Sequence, residues 1–124
     1  MKAESGHILF KEKFKYKDLA GVFEELLVAF LDETDQKPED EEVLQMFLRV
    51  NLMDLEKNRK PEGFNRRGRM KLVFPICGPK KEMYIRADSK TTEIVRIAER
   101  LSKILKKGGV THTVEWDKLS SAEP

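Results

Sequence analysis

The hydrophobic periods along this chain predict an α+β fold: a four-stranded, mainly antiparallel sheet with helices on one face. Three observations carry that reading. Four short segments alternate apolar and polar residues with the period of a strand, and three longer ones repeat with the period of a helix. Proline, glycine and asparagine gather at the junctions. The segments run β–α–α–β–β–α–β, and setting aside the second helix leaves β–α–β–β–α–β, the ferredoxin-like plan.

Residues 7–15, HILFKEKFK, are expected to form the first strand. Ile8, Phe10 and Phe14 share one face; Leu9, Lys11, Lys13 and Lys15 share the other. Residues 17–33 change to a helical period, with Leu19, Val22, Phe23, Leu26, Leu27, Phe30 and Leu31 on one stripe and Asp18 near the start. The acidic stretch Asp32–Glu42 breaks the pattern. Pro38 and the acids after it read as the first turn of a second helix, whose body spans 43–56. Its apolar residues, among them Leu44, Met46, Phe47, Leu48, Val50 and Met53, cover too wide an arc for a simple surface helix. Either the helix is sandwiched in the core or part of it faces a partner.

Residues 57–69, KNRKPEGFNRRGR, have the chemistry of a loop. MKLVFPI, 70–76, reads as a strand with Met70, Leu72, Phe74 and Ile76 on one face; Pro75 lacks a donor and marks an edge or an end. CGPKK is a turn, and Met83–Ala87 returns as the second arm of a hairpin. The last helix is expected over Thr91–Lys107, with Asp88, Ser89 and Thr91 competing for its N-cap and Gly108 placed for a left-handed C-cap. VTHTVEW, 110–116, closes the sheet, and 118–124 form a short disordered tail.

The 124 residues suit a single domain, 1–124, large enough for one core. Charged residues reach 37%, yet the aromatics and the clear periodicity argue against disorder. The one cysteine, Cys77, excludes an intrachain disulfide and suits a reducing compartment. The longest strictly apolar run, Leu26–Leu31, is far short of a membrane span, and the N-terminal residues lack a signal-like apolar stretch. A cytoplasmic protein with no membrane partner is expected.

A net charge of +2 conceals a division: acids predominate in residues 1–56 and bases in 57–124. Arg66, Arg67, Arg69, Lys71, Lys80 and Lys81 flank one apolar run, and Phe64 beside them could stack on a base. Together they form the candidate RNA or DNA site. The competing reading is a solvated loop whose arginines neutralise the acidic stretch 32–42. The second candidate is an interface for a homo-oligomer or a protein partner, formed by Met46, Phe47, Val50, Met53 and Trp116.

Cys77 and His112 are the only soft pair, and a buried thiol with a satisfied histidine explains both. No zinc-ligand spacing, phosphate loop or calcium loop occurs, so no metal, cofactor or catalytic residue is assigned. The sequence therefore points to a non-enzymatic binding or assembly domain. Nucleic-acid binding is the alternative, and a small-molecule regulatory domain is a third class.

Overall fold

The computed structural model describes residues 1–76 and 81–117. Its sheet contains β1 (Ala3–Phe10), β2 (Met70–Val73), β3 (Glu82–Thr91) and β4 (His112–Trp116), ordered β2-β3-β1-β4 with every neighbouring pair antiparallel. The helices are α1 (Phe23–Glu33), α2 (Glu41–Glu56) and α3 (Thr92–Lys107). This is the expected α+β, ferredoxin-like plan with an added helix. Residues 77–80, the expected turn with Cys77 and Lys80, and 118–124, the expected tail, lie outside the described residues.

One core unites the sheet with the helices. Ile8 and Phe10 of β1, Leu72 of β2 and Met83 and Ile85 of β3 are buried with Leu26, Leu27 and Phe30 of α1 and Ile94, Ile97, Leu101 and Leu105 of α3. These are the periodic positions of the sequence, each removed from water by the element opposite.

Where boundaries differ from expectation, the cause is local. β1 begins at Ala3 and stops at Phe10 instead of covering 7–15. The small and polar side chains of Ala3–Gly6 conceal a strand that pairs with both β3 and β4. After Phe10 the chain turns, with the Phe14 N–H donating to Lys11 O at 2.9 Å. Phe14 stacks on Phe10 at a centroid distance of 3.9 Å, so it reaches the core from the turn and not from a strand.

The helix expected over 17–33 is split. Tyr16–Leu19 form a 3₁₀ turn in which Asp18 Oδ2 accepts the Lys15 N–H at 2.9 Å, and α1 starts only at Phe23, after Gly21. α2 starts after Asp40, whose Oδ1 accepts the Glu42 N–H at 2.9 Å, leaving Pro38 outside it. β2 ends at Val73, before Pro75; Phe74 is still buried, but Ile76 is 84% exposed. Thr91 caps α3 through its hydroxyl. The left-handed residue after α3 is Gly109, at φ 79°; Gly108 stays at φ −82°.

Candidate functional site

α2 has two unlike faces. Leu44, Leu48 and Leu55 are buried in the core, while Met46, Val50 and Met53 are 53%, 42% and 50% exposed. The three exposed residues follow the i, i+4, i+7 spacing, so they form one stripe along the helix.

An amide clasp orients this helix. Asn51, 1% exposed, accepts the Gly63 N–H on Oδ1 at 2.7 Å and donates from Nδ2 to Gly63 O at 3.2 Å and to Phe47 O at 2.8 Å. Gly63 meets it at φ 74°, a conformation that favours glycine. The clasp holds the loop after α2 against the helix and turns the Met46–Val50–Met53 stripe outward. Phe47 is half-buried at the boundary, its ring 5.5 Å from Phe64 with the Arg66 guanidinium 5.0 Å above it. Trp116 is not brought to this stripe. It lies on β4, at the far edge of the sheet, where its ring covers Gly6.

The basic candidates diverge. Phe64 is 7% exposed, bridged to Leu72 and set edge-on to Phe30, so no base can stack on it. Arg66 covers Phe47, Arg69 pairs with Glu93 of α3, and Lys81 lies 5.5 Å over the Tyr16 ring. Lys71 is exposed and registers with Arg86 on the sheet face opposite Leu72, and Arg67 is exposed in the loop. Arg66, Arg69 and Lys81 therefore each engage a different group.

The acidic stretch engages other groups as well. Glu33 pairs with Arg96 and Arg100 of α3. Gln36 reaches the basic loop with an amide, accepting the Met70 N–H at 3.3 Å and donating to Met70 O at 3.0 Å. The contacts that tie this stretch to its surroundings are thus the Glu33 pairs with α3 and the Gln36 clasp on Met70, beside the basic loop.

A buried polar row on the sheet was not read from the sequence. Ser5 Oγ lies 2.9 Å from His7 Nε2, and His7 Nδ1 faces Glu82 Oε1 at 3.7 Å. Tyr84 lies against the imidazole, its ring centroid 4.9 Å away. The order hydroxyl, imidazole, carboxylate is that of a nucleophile relay. Access is wanting, because Ser5 is 2% exposed. The signal was the Ser-x-His spacing, which places both side chains on one face of a strand.

His112 is a satisfied core histidine. Its Nε2 meets Ser102 Oγ at 2.6 Å, and its Nδ1 meets Val110 O at 2.8 Å. Its proposed companion Cys77 is outside the described residues. Among the described residues no three His, Cys, Asp or Glu side chains gather as metal ligands would, and no helix is long and apolar enough to cross a membrane.

No family model, curated protein or solved structure matches the chain.

Proposed function

We propose that the protein is an assembly domain whose working surface is the outer face of α2. The observation that carries this is the exposed Met46–Val50–Met53 stripe on a helix whose other side is already committed to the core. Aligned on one helix face, the three side chains form a continuous apolar strip, and covering it removes apolar area from water at about 25 cal/mol per Å². Methionine suits such a surface, because its flexible thioether fits an opposing contour at little cost.

Oxidation by dilute peroxide tests the reading. In the dispersed chain Met46 and Met53 should oxidise at a rate near that of Met1, which is 69% exposed, and well ahead of Met70 and Met83, which are 2% and 0% exposed. In any assembled species, whatever its composition, Met46 and Met53 should become protected. An assembly that leaves both as reactive as in the dispersed chain contradicts the proposal.

A further inference from the structure

The α2 stripe does not end in neutral residues. Glu42 lies one turn before Met46, and Lys57 lies one turn after Met53; both are exposed. At 100° per residue, Glu42, Met46, Val50, Met53 and Lys57 fall within a sector of about 80°. The stripe is thus acidic at one end, apolar in the middle and basic at the other. It is also symmetric: the midpoint between residues 42 and 57 and the midpoint between 46 and 53 coincide, between Arg49 and Val50.

We infer that the surface covering α2 is a second copy of this chain, bound antiparallel across a two-fold axis near Arg49 and Val50. Rotation about that axis sets Met46 against Met53 of the other copy and places Val50 of both copies at the centre. It also sets Glu42 against Lys57 of the other copy, twice in each dimer. A parallel pairing would oppose like charges at both ends. The antiparallel one also aligns the two helix dipoles favourably. The same patch serves both partners, so the assembly closes at two copies and leaves no stripe for a third. Arg49, exposed beside the axis, is the one charge that meets its own counterpart. A single helix face is small beside the ~800 Å² per partner of a standard interface, so the dimer should be roughly micromolar and concentration-dependent.

This inference rests on the assembly reading, and charge exchange separates the two. Sedimentation of the full chain over a concentration series should show wild-type dimer, weakened by added salt. Glu42→Lys and Lys57→Glu should each weaken the dimer several-fold, because each creates two like-charge contacts. The double variant Glu42→Lys/Lys57→Glu should restore it, as should mixing the two single variants. Arg49→Gln should tighten it. Circular dichroism would confirm that each variant remains folded. A dimer indifferent to the single reversals, or a double variant that fails to recover, overturns the antiparallel pairing and leaves the assembly reading standing. A chain that stays monomeric at every concentration, while Met46 and Met53 are protected in a complex with a different protein, overturns the second-copy inference alone. A monomer with no protection of either methionine overturns both.

Discussion

α2 and α3 are both helices of 16 residues, and both close over the same core. Their outer faces are unlike. α3 presents Glu93, Arg96, Glu99, Arg100, Lys103, Lys106 and Lys107, and its first and last turns carry charges that suit its dipole. α2 presents Met46, Val50 and Met53 between Glu42 and Lys57. α3 shows what this chain does with a helix meant to face water. Measured against it, the stripe on α2 leaves apolar side chains about half in water where α3 places charges.

The comparison can be broken at its strongest point first. Leu101 of α3 is fully buried, so Leu101→Ala should cost about 2–5 kcal/mol in chemical denaturation. Met53→Ala on α2 should leave the stability of the dispersed chain within roughly 0.5 kcal/mol of wild type. Equal losses at the two positions would mean that the α2 stripe is part of the fold.

Next in size is the clasp. Asn51→Ala strands the buried Gly63 N–H and should cost about 1–3 kcal/mol, the loop after α2 gaining faster amide exchange. A neutral substitution would show that something else orients α2.

Smaller effects sharpen the picture of α3 as a solvated helix. Glu33 bridges to Arg96 and Arg100, which are 56% and 49% exposed, so Glu33→Ala should cost less than about 1 kcal/mol, and less still in high salt.

The smallest concerns the end of β4. The N–H groups of Glu4 and Ser5 donate to the Asp117 carboxylate and hold its pKa below the ordinary value. A lowered folded-state pKa gives stability that is present above the unfolded value and lost as pH falls through the folded one. The small advantage of wild type over Asp117→Asn should therefore hold at neutral pH and close in acid, below the ordinary carboxylate range. A gap independent of pH would contradict that assignment.

Much of this was legible in the sequence for a simple reason. The stripe of α3 recurs at a helical spacing that assigns its face, whereas the wide apolar arc of α2 leaves open which of its residues face the core. β1 starts earlier than hydropathy indicates because Ser5, Gly6 and His7 do not alternate, although all three pair with β3, and Gly6 and His7 with β4 as well. Their neighbours in space, Glu82 and Tyr84, are remote in sequence. Asn51 was missed likewise: nothing near it signals that Gly63 will present both an N–H and a carbonyl. Trp116 was grouped with α2 by hydrophobicity, but the position of β4 at the far sheet edge separates them. Polar partners and strand order are set by tertiary structure, which periodicity does not encode.

The most direct test of self-association through α2 is sedimentation equilibrium on the wild-type chain and on Met46→Asp/Met53→Asp. The account predicts a wild-type mass that rises above 14.4 kDa with concentration, and a variant that remains at the monomer mass with its melting temperature nearly unchanged. Two monomers, or two indistinguishable oligomers, would contradict it.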